Sequence, residues 1–149
     1  MRNANGYEIV RVCAAHLSQI AALEAVCFSE PWSERSLELL LTDSAVGFAA
    51  VREGTVIGYG GMLCVVGEGQ ITNVAVDPAC RRMGIGEAIL EALLAWAKHC
   101  NAEQVSLEVR VSNTAAVALY QKHGFEVAGV RKDFYRRPTE DALVMLRPL

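Results

Sequence analysis

The sequence predicts a mixed α/β (α+β) fold, a central twisted mixed sheet of about seven strands flanked by about four helices. Three observations carry that expectation. Apolar runs of strand length and stretches of helical periodicity share the whole chain between them. Three strand-like runs follow one another before the glycine loop at Gly84-Ile85-Gly86, so the order is not strictly alternating βαβ. The loop then joins the third of those runs to a strongly helical segment. The 149 residues suffice for one domain with a sizeable core, and no linker, repeat or low-complexity stretch divides them. Residues 1–149 are therefore expected to form a single domain.

Tyr7 to Val12 suits a first strand. From His16 to Phe28, apolar residues at Leu17, Ile20, Ala21, Leu23, Ala25, Val26 and Phe28 fall at helical spacing. Ser29-Glu30-Pro31-Trp32-Ser33 interrupts the pattern, and Ser33 is placed to cap a second helix through Ser36 to Leu41. Val46 to Val51 is a strand, Glu53-Gly54 a hairpin turn, and Val56 to Val66 a long strand. Gly58, Gly60 and Gly61 inside that strand predict a bulge or a close backbone approach. Gly67-Glu68-Gly69 turns into the strand that feeds the glycine loop, and the following helix runs to about Cys100. Gln104 to Val111 alternates, with Val105, Leu107, Val109 and Val111 on one face and Ser106, Glu108 and Arg110 on the other. Ser112-Asn113-Thr114 starts a helix over Ala115 to His123, which Gly124 ends as a C-cap. Phe125 begins another strand; Val127 to Arg131 and Asp133 to Arg137 continue as strand or loop, and Ala142 to Leu146 is the last strand.

The stretch from Ile71 to Glu87 has the chemistry of an anion site. Asp77-Pro78 stops the strand, because proline fixes its own φ and biases the residue before it. A helix start then presents unpaired N–H groups and the positive end of a dipole. Glycines let the backbone approach a ligand, and Arg81 and Arg82 add guanidinium charge suited to phosphate. On this stretch alone, a strand-to-helix turn with no ligand remains an equal alternative. The Gly-Lys-Ser/Thr ending of a P-loop and the longer Gly-x-Gly-x-x-Gly fingerprint are both missing, which argues against a nucleotide-phosphate binder.

Composition narrows the function classes. Hydrophobic residues make up 52% and charged residues 21%, the balance of a globular chain. A net charge of −3 with no basic tract argues against nucleic acid as partner. No apolar run reaches the roughly 20 residues that span a bilayer, and the first residues lack the apolar core of a signal peptide. A cytoplasmic protein is expected, with no membrane partner and its oligomeric state left open, a monomer included. Cys13, Cys27, Cys64, Cys80 and Cys100 are odd in number and without Cys-x-x-Cys spacing, so no zinc site, other metal or disulfide framework is predicted. They are expected to be reduced thiols, mostly buried. Cys80, beside the glycine loop, has no histidine next to it in sequence to activate it.

Three features beyond the loop sharpen the picture. Glu108 lies mid-strand in an otherwise apolar run, Asn113 at the next helix start, and Tyr120 on that helix just before Gly124-Phe125. Together, Arg81-x-x-Gly84-x-Gly86, Leu107-Glu108-Val109-Arg110-x-Ser112-Asn113 and Ala118-Leu119-Tyr120-x-x-x-Gly124-Phe125 closely resemble the GNAT superfamily of N-acetyltransferases, over nearly the whole chain. Pro31-Trp32-Ser33 and Glu140 to Met145 are similar to the RimI-type ribosomal-protein-alanine N-acetyltransferases within it.

The resemblance implies acetyl-CoA as donor and co-substrate. Its pyrophosphate would sit on Arg82, Met83, Gly84, Ile85, Gly86 and Glu87, with Arg81 alongside. Its pantetheine arm would pair with the backbone of Val74, Ala75 and Val76 like an added strand, and Asn113 would contact it near the thioester. Glu108 would be the general base and Tyr120 the general acid. The acceptor would be the α-amine of an N-terminal alanine on a small-subunit ribosomal protein, with Trp32 and Tyr135 lining its site.

The residue chemistry is compatible with those roles. An α-amine has a pKa of about 7.7–8.0, so roughly a tenth is neutral at pH 7, and a glutamate is a sufficient base, better so if buried. A leaving thiol near 8.5 and a phenol near 10 make the proton transfer only mildly uphill. Direct transfer in a ternary complex needs no acetyl-enzyme. Structural alternatives stand beside each role: Glu108 on a solvated sheet face, paired with Arg110; Tyr120 as a core tyrosine; Asn113 as an N-cap, which is compatible with binding; Trp32 as a buried packing corner; Phe134-Tyr135 as packing. Glu30, Glu34, Glu38 and Asp43 read first as a solvated helix face.

Two departures from the family stand out. Glu87 takes a place that is basic or neutral in many relatives, so cofactor affinity would lean on Arg81 and Arg82. Phe134-Tyr135-Arg136-Arg137-Pro138 replaces one of two tyrosines and inserts two arginines before the proline, which leaves acceptor specificity open. A small-molecule amine acetyltransferase and a non-catalytic acyl-CoA-binding module are the competing functions.

Overall fold

The computed structural model describes residues 6–149. Among them, seven strands form one sheet: β1 (Glu8–Arg11), β2 (Ala45–Arg52), β3 (Thr55–Val65), β4 (Glu68–Val76), β5 (Gln104–Arg110), β6 (Glu126–Tyr135) and β7 (Glu140–Pro148), in the order β1-β2-β3-β4-β5-β7-β6. The α-helices are α1 (Leu17–Cys27), α2 (Glu34–Leu37), α3 (Ile85–His99) and α4 (Thr114–Lys122), and short 3₁₀ turns precede α1, follow α2 and precede the glycine loop.

Each neighbouring pair of strands is antiparallel except β4 and β5. That parallel pairing runs only from Glu68↔Gln104 to Gln70↔Ser106. Beyond it β4 keeps to β3 as far as Gly58↔Val76, while β5 keeps to β7 as far as Arg110↔Ala142. The sheet therefore forks, and among the described residues no strand lies between the facing edges of β4 and β5. The register of β3 against β4 shifts between Gly61 and Met62, leaving Thr72 unmatched. A bulge of this kind bends its strand, and it sits where the fork opens.

The two faces of the sheet are covered by different helices. On one, α3 buries Ile85, Ile89, Leu90 and Leu93, none more than 1% exposed. The β3 glycines make room for it: a Cβ at Gly60 would lie 2.6 Å from Ile89 Cγ2, and one at Gly58 2.7 Å from Ile85 Cγ2. The close-approach reading of these glycines is thus realised, while the bulge opposite Gly61 lies in β4, at Thr72. On the other face, Leu17, Ile20 and Leu23 of α1 pack with Leu37, Leu40, Tyr59 and Ala75.

The structure also corrects several expectations. The buried stripe of α1 is Leu17, Ile20, Leu23 and Glu24, whereas Ala25 and Val26 are exposed. Counting apolar residues alone put the stripe one step too far round, because a glutamate occupies its fourth place. Ser33 caps α2 as expected, its Oγ accepting from the Ser36 N–H at 3.1 Å, but the helix tightens into a 3₁₀ turn over Glu38–Leu41. Of the residues left as strand or loop after Phe125, those to Tyr135 form the single strand β6, and Arg136 and Arg137 fall in the turn before β7. All five cysteines are free thiols, yet only Cys80 is buried; Cys13 and Cys100 are exposed, at the ends of elements where no core reaches them. No helix among the described residues is long and apolar enough to cross a membrane.

Candidate active site

The fork between β4 and β5 opens into a cleft of about 710 Å³. Its walls are the β4 edge at Ile71 to Val74, the β5 edge at Ser106 to Arg110, the first turns of α4, the connection from α1 to α2, and the end of β6. Glu108, Tyr120, Asn113, Val74, Trp32 and Tyr135 all line this one cavity. Ala75 and Val76 continue β4 beyond it, and Arg81 to Glu87 lie outside it, on the loop into α3.

Each side chain reaches the cleft for a local reason. Alternation along β5 buries Val105, Leu107 and Val109 against α3, and so turns Ser106, Glu108 and Arg110 to the cleft side. Glu108 is about a third exposed, at 32%, with Arg131 Nε 3.8 Å away. It is therefore neither buried nor paired with Arg110, both of which the sequence had left open. Asn113 caps α4, its Oδ1 accepting from the Ala116 N–H at 3.2 Å. Tyr120 is 7% exposed, on the buried side of α4, edge-on to Phe125 at 5.6 Å. Burial, and then Tyr135 nearby, push its hydroxyl up to about 12. Tyr135 is raised to about 12 as well, by burial first and then by Glu108. Trp32 is half-buried, so it both packs against the α1 face and walls the cleft.

The glycine loop has the backbone of an anion cradle. Gly84, the residue before α3, has φ +76°, a value glycine adopts freely. Arg82 is held at φ +69°, and Arg81 and Arg82 are both exposed. Glu87 does not face the loop as free charge. Lys122 at 3.0 Å and His123 at 3.2 Å pair with it and, Lys122 first, hold its carboxyl below the usual carboxylate range. Glu87, Glu91 and His123 bring ligand atoms within 4.8 Å of one another, but Lys122 already occupies Glu87.

Sequence reasoning missed the residue that ties the α1–α2 connection to the β6–β7 turn at one end of the cleft. Arg110 donates to the Glu140 carboxylate at 3.1 Å, to the Pro138 and Arg136 carbonyls at 3.0 Å each, and to Ser29 Oγ at 3.3 Å. Its guanidinium lies 4.5 Å from the Tyr135 ring centre. The Arg136 N–H donates to Glu30 at 2.8 Å, so the first of the two inserted arginines bridges two loops through its backbone. Glu140 also accepts from the Ser112 N–H at 2.7 Å, and its carboxyl is held low by the Ser112 side chain first, then by that N–H, with Arg110 behind them. The one available signal was the i, i+2 spacing that sets Arg110 on the face of Glu108. Glu30, Glu34, Glu38 and Asp43 are exposed, but only Glu34 and Glu38 lie on a helical element; Asp43 is in a turn and Glu30 in the α1–α2 connection on the cleft rim.

Known proteins place this arrangement. Residues 17–125 match the Acetyltransferase (GNAT) family. The chain belongs to the GNAT acetyltransferase family. Among its relatives is a Bacillus subtilis (strain 168) protein provisionally named as a [ribosomal protein bS18]-alanine N-acetyltransferase, 37% identical over 131 residues and covering 87% of each chain. Another is the N-alpha-acetyltransferase RimI of Mycobacterium tuberculosis, 34% identical over 140 residues, covering 89% of this chain and 87% of that one. The crystal structure of the ribosomal-protein-S18-alanine N-acetyltransferase from Escherichia coli superposes with a TM-score of 0.88 at 30% identity, over 95% of this chain and 93% of that one. This GNAT protein is accordingly an N-acetyltransferase, and the mixed seven-stranded sheet is the fold its family resemblance implied.

Proposed function

We propose that this GNAT enzyme moves the acetyl group of acetyl-CoA directly to the α-amine of an N-terminal alanine on a small-subunit ribosomal protein. One domain over residues 1–149 and a cytoplasmic site of action belong to the same reading. The observation that carries it is the meeting of Glu108 and Tyr120 in one cleft, beside a β4 edge that no strand covers. The names of the relatives from Bacillus and Escherichia supply the acceptor.

The chain's groups fit an acyl-CoA. Beyond Gln70 the β4 backbone is free of β5, so an extended amide-bearing arm can add as a strand at Val74, Ala75 and Val76. The N–H groups from Arg82 to Glu87, with Arg81 and Arg82, suit a pyrophosphate at the start of α3. Asn113, which lines the cleft at the start of α4, would contact that arm near the thioester.

Glu108 is the base. Its carboxylate faces the cleft within reach of water, and takes the proton of the acceptor amine directly or through a water molecule. The neutral amine attacks the thioester carbonyl, and the C–S bond breaks as the C–N bond forms. Tyr120 gives its proton to the departing sulfur and is restored by the second proton that the acceptor nitrogen sheds as the amide forms. With its pKa at about 12, Tyr120 is fully protonated at neutral pH. Against a thiol in water near 8.5, that proton transfer is roughly 5 kcal/mol uphill, steeper than an unperturbed tyrosine implied. The same burial raises the thiol it serves and narrows the gap.

The pH profile follows. The acceptor α-amine loses its proton near 7.7–8.0, so kcat/KM rises through that range and flattens above it. Tyr120 must keep its proton, and it does so until about pH 12, so no descending limb from it is expected between pH 6 and 9.5. Initial rates across that range check both limbs.

The direct test offers the enzyme acetyl-CoA and an alanine-starting peptide from the host's small-subunit ribosomal protein. A second peptide has its α-amine blocked and a lysine free. Mass spectrometry is expected to find acetyl on the free α-amine alone. Glu108→Gln should lower kcat/KM by about 10²-fold or more, with acetyl-CoA binding by calorimetry unchanged. Transfer to neither peptide, with acetyl-CoA still bound, would overturn the acceptor and favour a small-molecule amine or a binding module.

A further inference from the structure

The core-facing stripe of α1 carries a carboxyl group that the chemistry above leaves unused. Glu24 is 0% exposed. A carboxyl group in such a place is costly unless its oxygens are satisfied. Here both are. Oε1 accepts from the backbone N–H of Trp32 at 2.8 Å. Oε2 accepts from the Tyr59 hydroxyl at 2.5 Å and from Asn73 Nδ2 at 2.9 Å. Burial, and then Glu24 itself, drive the Tyr59 hydroxyl far above its ordinary range, which keeps it a donor.

The three partners belong to three different pieces of the molecule. Tyr59 is in the middle of β3, Asn73 follows the Thr72 bulge of β4, and Trp32 stands in the connection from α1 to α2. Asn73 and Trp32 both line the cleft, on the strand edge and on the facing wall. An apolar side chain of similar size would fill the same space without the desolvation cost. Packing alone is thus a poor account of a carboxyl here, whereas holding two cleft walls in register needs an acceptor with two separate oxygens.

We propose that Glu24 is a positioning residue: its buried carboxylate locks the Trp32 wall to the Asn73 segment of β4, and so sets how tightly the acceptor is held. The inference rests on the reading of this cleft as the site of N-terminal acetyl transfer. Glu24 acts through Trp32 and Asn73, so its loss alters acceptor binding more than the chemical step.

Glu24→Gln tests it at nearly constant volume. A glutamine has one acceptor oxygen, and the two donors Tyr59 and Asn73 claim it, which turns the NH₂ towards the Trp32 N–H. The KM for the alanine-starting peptide is expected to rise about tenfold, with kcat changed by less than about threefold. Tyr59→Phe removes one donor from the same carboxylate and spares the Trp32 contact, so it should move the acceptor KM by less than about threefold. A merely structural Glu24 would instead lower kcat through lost active enzyme, with KM unmoved, and that result overturns the proposal. Hydrogen exchange supplies a readout independent of any acceptor. In Glu24→Gln, the Trp32 amide should exchange at least about tenfold faster, with α3 amides as protected as in the parent. Should the parent enzyme transfer nothing to the peptide, the acceptor reading fails by itself. The exchange experiment still decides Glu24, and an unchanged Trp32 rate overturns it.

Discussion

The two walls of the cleft are built by different means. The β4–α3 wall is a backbone construction. Its shape comes from a bulge at Thr72, a glycine before the helix at φ +76°, and two β3 glycines that let α3 sit directly on the strand. Its residues are near one another in sequence. The opposite wall, made by the α1–α2 connection and the β6–β7 turn, is a side-chain construction. Arg110 reaches Ser29, Arg136, Pro138 and Glu140, while Glu30 takes the Arg136 N–H and Glu24 the Trp32 N–H. Ser29 and Arg110 are 81 residues apart, and Glu30 and Arg136 are 106 apart. A backbone-built wall suits a ligand that never changes. One built from a few long side chains can be re-cut for another acceptor by changing those side chains, and the two inserted arginines lie in that wall.

That contrast breaks down if substitutions in one wall disturb the function of the other. The largest effect is expected from Gly60→Ala. The new methyl would meet Ile89 Cγ2 at 2.6 Å, and Ile89 is fully buried, so α3 must shift. Overpacking of this kind costs about 1–3 kcal/mol, to be read as a lower Tm together with weaker acetyl-CoA binding by calorimetry. If Tm is unchanged, α3 is not seated by the glycines.

Arg110→Met comes next. It keeps the stem and removes four polar contacts, so the acceptor KM should rise about tenfold, on the scale of lost hydrogen bonds to a charged group. The KM for acetyl-CoA should stay within about twofold. An equal rise in both would mean that the two walls are mechanically one. The smallest effect is expected from Arg82→Ala. An exposed cation beside the proposed pyrophosphate cradle contributes modestly, so the KM for acetyl-CoA should rise about threefold, and salt should erase much of the difference. Loss of acceptor affinity instead would put Arg82 on the wrong wall.

Glu140 adds a pH lever on the side-chain wall. Its carboxyl is held low by Ser112 first and by Arg110. A group with a lowered folded pKa gives stability that is full above its unfolded value, near 4.3, and lost as pH falls through the folded value. The Arg110 clasp therefore holds at neutral pH and slackens only under acid conditions.

Much of this molecule was legible in the sequence. Alternation over Gln104 to Arg110 put Glu108 on the polar face, the Gly84–Gly86 loop announced the start of α3, Asn113 announced the cap of α4, and the motifs carrying these residues resembled the family to which the chain belongs. These features are local: strand alternation, turn chemistry and capping depend on residues a few places apart. What only the tertiary structure decided are the fork after Gln70 and Ser106, which creates the cleft, and the partners of Arg110 and Glu24. A fork is an absence of pairing between two strands that look continuous in sequence, and nothing in either strand marks where the other leaves it. Glu24 gave no signal, since hydrophobic periodicity counts apolar residues and cannot see a carboxyl whose three donors arrive from 8 to 49 residues away.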